Sequence, residues 1–296
     1  MNLETIALHT VKVALMEDLW GGDVTTDATV APGTMAQASI LAKANGVLAG
    51  LDVARLVFRE VDAEITMTSD ARDGQRVQPG REVARLHGKA ASILSAERTA
   101  LNFLCHLSGV ATLTSRFVRR TRGTGAVILD TRKTLPGLRV LEKYAVQKGG
   151  GENHRMGLGD MYLVKDNHIK AAGSITLAVE RIQAHRQELL LEVEAQSFEQ
   201  VKEACEAGVD RILFDNMSLE QIATALQIVD NHPKPAVPPH ARRKGAKRWP
   251  EVEVSGGVHL ENVKEIAELG VDFISVGALT HSAPALDLSL EILTLD

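Results

Sequence analysis

Apolar side chains recur at Leu3, Ile6, Ala7, Val11, Ala14, Leu15 and Leu19, the spacing of one face of an amphipathic helix. The stretch that follows, GGDVTTDATV, breaks this rhythm with Gly, Asp and Thr and reads as a turn. From Ala36 to about Gly88, short apolar runs (ASILAKA, GVLAGL, EITMTS, REVARL) are separated by Gly or Pro. They predict the strands of an antiparallel sheet, with one helix at Leu51–Glu60. A long helical pattern then runs from Ser92 to about Arg122.

The second half has a different period. Short apolar runs ending in polar residues lie at AVILDTRK (126–133), MYLVKDNH (161–168), LLLEVEA (189–195), RILFDN (211–216), VEVSGG (252–257) and DFISVGA (272–278). Helical stretches fall near 138–148, 174–188, 197–207, 218–230 and 260–269. Strands alternating with helices predict βα units on a parallel sheet. A less regular segment, GENHR (151–155), adds a seventh run. Six or seven units over ~150 residues point to a closed or nearly closed βα barrel. The expected fold class is α/β: an N-terminal α+β sheet-and-helix domain over 1–112, then a seven-stranded βα barrel of TIM-like type over 113–283. A C-terminal helix at 284–296 is expected to join the first domain.

Composition narrows the function classes. Of 296 residues, 45% are hydrophobic and only 3% aromatic, so the core is aliphatic and suits buried parallel strands. A formal net charge of −5 argues against general nucleic-acid binding, so a small anionic ligand would need a local cluster of cations. Cys105 and Cys205 make neither a disulfide framework nor paired zinc spacing. Met1 to Trp20 carries Glu4, Glu17 and Asp18 and lacks the apolar core of a signal peptide. No stretch approaches the ~20 apolar residues of a membrane span, and a cytoplasmic location is expected. The Pro-rich, basic stretch Asn231–Arg248 lies between a helix and a strand. A barrel would put it, as a solvated loop, on the face opposite the strand C-termini.

Those C-termini carry the chemistry. They read Asp130-Thr131-Arg132-Lys133, Lys165-Asp166-Asn167-His168, Glu192-Val193-Glu194, Asp215-Asn216, Ser255-Gly256-Gly257 and Gly277-Ala278. In a barrel, catalytic groups come from these strand ends. Arg132, Lys133, His154, Arg155 and Lys165 would share one mouth, where clustered cations repel unless a polyanion fills the space. Ion pairing with Asp130, Glu142, Asp160 and Asp166 is the plainer alternative. Glu194 and Asp215 would face that cluster, placed to hold Mg²⁺ through water, accept ribose hydroxyls or stabilise a cationic sugar carbon. Strand alternation puts Glu192 on the same side as Glu194 but deeper. The turns SGGV and SVGAL suit anion binding by backbone N–H groups.

With these motifs in view, the chain resembles the nicotinate-nucleotide pyrophosphorylase (carboxylating), or quinolinate phosphoribosyltransferase, family. The matching motifs are EDLWGGDVTTDAT (17–29), ERTALNFLCHLSGVATLT (97–114), LDTRKTLPGLRVLEKYAV (129–146), GGGENHRMGL (149–158), LVKDNHI (163–169), EVE (192–194), LFDNM (213–217), EVSGGV (253–258) and GVDFISVGALTHS (270–282). The lengthened basic segment before Trp249 departs from the pattern but lies outside the motifs. The resemblance implies transfer of a phosphoribosyl group from phosphoribosyl pyrophosphate to quinolinate, with loss of pyrophosphate and CO2, in de novo NAD biosynthesis. It implies that Arg98, Thr131, Arg132, His154, Arg155 and Lys165 bind quinolinate. Lys133, Glu194, Asp215, Ser255, Gly256, Gly257, Gly277 and Ala278 would bind phosphoribosyl pyrophosphate. Lys133, Lys165, Glu194 and Asp215 would carry the catalytic roles. Mg²⁺ would be the cofactor, held at Glu194 and Asp215 through water or substrate. A homodimer or higher homo-oligomer would share its active sites, Arg98 reaching the neighbour. Two rivals remain at this stage: a phosphoribosyltransferase for another aromatic acid, and a non-catalytic phosphate- or nucleotide-binding protein.

Overall fold

The structure, a computed structural model, describes residues 3–185, 189–233 and 248–296. Its elements run α1 (Leu3–Asp18), α2 (Val24–Thr29), β1 (Met35–Ala42), β2 (Gly46–Val47), α3 (Leu51–Val61), β3 (Thr66–Thr68), β4 (Arg76–Val77), β5 (Glu82–Lys89) and α4 (Ala90–Arg120). There follow β6 (Val127–Leu129), α5 (Arg139–Lys148), β7 (Tyr162–Val164), α6 (Asp166–Ala172), α7 (Ile175–His185), β8 (Leu191–Ala195) and α8 (Phe198–Glu206). The chain ends with β9 (Arg211–Asp215), α9 (Leu219–Asn231), β10 (Glu251–Ser255), α10 (Val263–Glu268), β11 (Phe273–Ser275), α11 (Ala278–His281) and β12 (Leu288–Leu295). Two compact units result: Met1–Ser115 with Lys133–Gly151 and Leu279–Asp296, and Arg116–Arg132 with Glu152–Ala278.

In the first unit, an antiparallel sheet runs β12-β1-β5-β3. Helix α1 buries Ala7, Val11 and Leu15, and α4 buries Ile93, Ala96, Ala100, Leu104, Leu107 and Ala111, both at the three- and four-residue spacing that makes one helical face. Two expectations are corrected here. Residues 284–296 hold a strand, β12, in place of a helix. Leu288, Leu290 and Ile292 alternate with polar neighbours and pair with Ala42, Ile40 and Ala38 of β1, so a period of two outweighs helical propensity. The GGDVTTDATV stretch holds a short helix, because the Asp23 carboxylate accepts from the Thr26 N–H at 3.0 Å and the Thr26 hydroxyl at 2.6 Å and so caps α2.

The second unit is a six-stranded parallel sheet ordered β6-β11-β10-β9-β8-β7. Strands β7 to β11 neighbour in chain order, and the last of them, β11, pairs with the first, β6. Glu152, in the irregular segment after α5, makes a parallel bridge to Leu129 on the other edge of β6. Ser197 caps α8, and Ser218 with Gln221 makes a capping box on α9, so each helix starts where the preceding strand's turn ends. A repeated Gly-Val-Asp motif starts β9 and β11. Its buried aspartates accept the N–H groups of Leu191 (from Asp210, 2.7 Å) and Val252 (from Asp272, 3.0 Å), tying neighbouring strands at their N-terminal ends. Of the basic stretch, 234–247 lie outside the described residues. Its last member, Arg248, binds Asp230 at 3.0 Å and the Gly270 carbonyl at 2.9 Å. No described helix is long and apolar enough to cross a membrane.

Candidate active site

The site is assembled at the carboxyl ends of the second unit's strands. Asp130 follows β6 and is fully buried. Its N–H donates to the Glu152 carbonyl at 3.2 Å, and its carboxylate accepts the His154 N–H at 2.9 Å. Thr131-Arg132 is thereby brought beside His154-Arg155. Asp160 closes the next turn, accepting from the N–H groups of Met156 (2.5 Å) and Gly157 (2.9 Å). Burial and the neighbouring Arg132 charge press the Arg155 guanidinium below its ordinary range, with Glu192 and Asp160 opposing. Arg132 Nε is buried with no hydrogen-bond partner. Two guanidiniums that repel each other, one with an unsatisfied N–H, form a site that a carboxylate or phosphate completes.

Behind them lies a buried charged layer. His154 Nε2 stands 3.0 Å from Glu192 and 3.4 Å from Glu253. Arg211 reaches Glu253 at 3.2 Å and Glu251 at 3.5 Å, and stacks 3.8 Å from the Phe273 ring. The Ser275 hydroxyl donates to Glu253 at 2.5 Å. Burial presses the His154 ring toward neutrality, while Glu253 and Glu192 draw it up to about 10. The Arg155 N–H donates to His154 Nδ1 at 2.9 Å. That bond makes Nδ1 an acceptor and leaves Nε2–H facing the carboxylates, so it favours the singly protonated ring and opposes the pull of Glu253 and Glu192. Although burial opposes it, Glu253 is held down to about 2 by His154 and Arg211. Burial and the Glu253 charge push Glu192 up, so Glu253 is the ionised member of the pair. His154, Glu192 and Glu253 lie close enough to ligate a metal, but His154 Nε2 is bonded to Glu192 Oε2, and Glu253 is taken by Arg211 and Ser275, which makes this layer an ion-pair network.

Further round the rim, Lys165 Nζ donates to Glu194 at 2.6 Å. Lys165 caps α6, so Asp166, Asn167 and His168 stand on that helix and not on the strand end. Asp215 ends β9, and its Oδ2 accepts from Gln196 Nε2 (3.1 Å) and Asn216 Nδ2 (3.0 Å). Asn216 has φ 54°, the left-handed region that non-glycine residues seldom adopt, and its N–H donates to the Ser255 carbonyl at 3.0 Å. Gly256 has φ 89°, and a Cβ there would meet Asn216 Oδ1 at 2.2 Å. Only glycine fits. Asn262 Nδ2 closes the turn onto the Gly257 carbonyl at 2.9 Å. Gly277 and Ala278 lead from β11 into α11.

Two expected residues belong to the first unit. Lys133 follows Arg132 directly, and its carbonyl accepts from the Thr280 hydroxyl at 2.8 Å. Arg98 is exposed on α4, beside a cavity lined by Asp18, Thr99, Asn102 and His106. The structure thus brings Arg132, His154 and Arg155 together in one cluster, and Lys165 with Glu194 in another. Glu253, Arg211, Gln196 and Asn216 were not singled out from the sequence. For Arg211 and Glu253 a signal was present: RILFD and EVEVS, like LEVEA, carry charges within an otherwise apolar strand.

Fold and site together define an α/β protein with clustered cations and carboxylates at the carboxyl edge of a parallel sheet, the edge where ligands bind in such folds. Two family models match the chain: "Quinolinate phosphoribosyl transferase, N-terminal domain" over residues 23–108 and "C-terminal domain" over 110–291. The chain belongs to the quinolinate phosphoribosyltransferase family. It is 44% identical over 289 residues to the nicotinate-nucleotide pyrophosphorylase [carboxylating] of Mycobacterium leprae, covering 97% of each chain. Among solved structures, the nicotinate-nucleotide pyrophosphorylase of Francisella tularensis superposes with TM-score 0.88 at 38% identity, over 99% of this chain and 98% of that one. NadC from Streptococcus pyogenes gives TM-score 0.86 at 40% identity, over 97% and 96%.

Proposed function

We propose that this chain is a decarboxylating quinolinate phosphoribosyltransferase, converting quinolinate and phosphoribosyl pyrophosphate to nicotinate mononucleotide, pyrophosphate and CO2. The observation that carries this reading is the Arg132–Arg155 pair: two crowded guanidiniums, one with a buried, unpartnered Nε, suit a ligand with two carboxylates. Arg132 and Arg155, with Thr131 beside them, grip the pyridine dicarboxylate and orient its nitrogen. His154 fixes the Arg155 backbone, and Lys165 meets a carboxylate or the departing phosphate. Ser255-Gly256-Gly257 and Gly277-Ala278 cradle the 5′-phosphate, and Lys133 adds charge. As the ring nitrogen displaces pyrophosphate, Glu194 and Asp215 face the oxocarbenium-like ribose. The C2–carboxyl bond then breaks, CO2 leaves, the cationic ring nitrogen stabilises the electron pair left on C2, and C2 takes up a proton from water. Glu194 and Asp215 offer only oxygen donors, the set that suits a hydrated Mg²⁺. They would hold it through water or substrate, and it would neutralise charge on the pyrophosphate.

The β6–β11 pairing and the Leu129–Glu152 bridge support a seven-stranded, TIM-like barrel with the Glu152 segment as its extra strand. The reading includes a cytoplasmic enzyme that works as a homodimer or higher homo-oligomer. Pyrophosphate release from phosphoribosyl pyrophosphate tests it: release should require quinolinate and Mg²⁺, and nicotinate should not substitute. Turnover with nicotinate would instead assign another aromatic acid, and binding without turnover a non-catalytic sensor.

Arg98 tests the oligomer. It lies in the unit that does not hold Arg132, Arg155 and Lys165, and we assign it to the neighbouring subunit's site. Arg98→Ala and Asp215→Ala chains, each nearly inactive, should complement when mixed. Random exchange makes about half the dimers mixed, each with one whole site, so roughly a quarter of wild-type activity should return. A mixture with mass-confirmed mixed dimers that stays inactive would place Arg98 within its own chain's chemistry or outside the reaction.

A further inference from the structure

Asp215 is held in a way that its role as a ribose-facing carboxylate does not by itself require. Both amide donors converge on a single oxygen, Oδ2: Gln196 Nε2 at 3.1 Å from the turn after β8, and Asn216 Nδ2 at 3.0 Å from the turn after β9. No described residue bonds Oδ1. Gln196 is itself fixed, its N–H donating to Gln200 Oε1 at 2.7 Å in α8. Asn216 is the one described non-glycine residue with positive φ, at 54°. That backbone turn directs the carboxamide toward Asp215 while its N–H holds the Ser255 carbonyl at 3.0 Å. The carboxamide's other end, Oδ1, fills the space that the Gly256 hydrogen leaves. One side chain therefore touches both the carboxylate and the glycine turn. A simple turn residue would be glycine here, since glycine takes positive φ without steric cost. Asparagine tolerates this region better than most non-glycine residues, and here its carboxamide is bonded to Asp215 and packed on Gly256.

We infer that Asn216 and Gln196 are positioning residues: by occupying Asp215 Oδ2 they lock its rotamer and present Oδ1 to the ribose of phosphoribosyl pyrophosphate, and Asn216 couples that carboxylate to the Ser255-Gly256-Gly257 phosphate turn. This rests on the function proposed above. It predicts that the two amides act on one substrate and not on the other.

The test compares Asn216→Gly, Asn216→Asp and Gln196→Met with wild type. Asn216→Gly keeps the left-handed turn and removes only the carboxamide. Gln196→Met leaves the turn untouched and removes only the second donor. Hydrogen bonds to charged groups are strong enough that losing one should raise the KM for phosphoribosyl pyrophosphate about tenfold. The KM for quinolinate should stay within about twofold and the melting temperature should be near wild type. Asn216→Asp keeps the size but faces Asp215 with a like charge, so its loss should exceed that of Asn216→Gly. A purely structural turn predicts the reverse: Asn216→Gly indistinguishable from wild type in both KM values and equally or more stable, with Gln196→Met silent. That result in an active wild-type background would overturn the inference and leave the proposed function intact. If wild type itself fails to turn over quinolinate, the proposed function falls. Calorimetric binding of phosphoribosyl pyrophosphate then decides the inference separately, weaker binding by Asn216→Gly supporting it and equal binding overturning it.

Discussion

Replacing Arg211 with leucine should destabilise the protein by about 3–5 kcal/mol, the usual cost of stranding buried charge. That corresponds to a fall in melting temperature of about 10 °C for a chain of this size. The reason lies in the charge count around it. Glu192, Glu251 and Glu253 are buried almost completely, and Arg211 lies among them, bonded to Glu253 and close to Glu251. Glu192 Oε1 already has no hydrogen-bond donor among the described residues, so the layer is short of donors before Arg211 is removed. Leucine fills much of the volume but leaves Glu192 and Glu253 with His154 as the cation beside them and the Ser275 hydroxyl as a neutral donor to Glu253. Their pKa values should then rise in the folded state. A raised carboxylate pKa means the folded state is favoured at low pH and loses that advantage as pH rises through the folded value. The mutant's deficit relative to wild type should therefore be largest at neutral pH and shrink as pH falls toward the ordinary carboxylate range. Thermal melts of both proteins across pH 4.5–8 check this. A deficit under about 1 kcal/mol at pH 7 would show that the layer is hydrated or that its charges are compensated elsewhere.

The second large effect is on substrate recognition. Arg132→Lys should raise the quinolinate KM roughly 10- to 100-fold, because lysine keeps the charge but loses the planar fork that grips a carboxylate with two parallel bonds. The phosphoribosyl pyrophosphate KM should change much less. Melting temperature should be unchanged or slightly higher, since the substitution thins a pair of guanidiniums that repel each other in the empty protein. An unaltered quinolinate KM would remove Arg132 from the site. Equal rises for both substrates would instead make it part of the general anion field and not a specific clamp.

These two predictions draw on different depths of the same sheet, and the depths differed in how readable they were. The strand-end cations and carboxylates were visible because each closes an apolar run, and the βα rhythm told which end faces the chemistry. The layer beneath was harder. Strand alternation placed Glu192 on the side of Glu194 but said nothing of Arg211 or Glu253, whereas the sheet turns all three charges inward against one another. Only the three-dimensional neighbours, His154 above all, make such burial tolerable. His154 read as a substrate ligand beside Arg155, yet its ring is spent on the carboxylates and on the Arg155 backbone. Asn216 carried no sequence signal beyond following Asp215, because a left-handed φ is set by the turn into which the chain is drawn. The C-terminal segment misled for a local reason. LSLEILTL is rich in helix formers, and it becomes a strand because β1 offers an edge at matching register, with a shift at Gln37/Ala38 absorbing the break in alternation near Leu293.

The central claim is that pyrophosphate displacement and decarboxylation occur on one molecule of quinolinate. Quinolinate carrying ¹³C in its 2-carboxyl group tests it most directly. Incubated with the enzyme, phosphoribosyl pyrophosphate and Mg²⁺, it should release labelled CO2, pyrophosphate and unlabelled nicotinate mononucleotide in equal amounts, and no labelled CO2 without phosphoribosyl pyrophosphate. Pyrophosphate release with the label retained in a dicarboxylate mononucleotide, or no pyrophosphate release at all, would contradict the account.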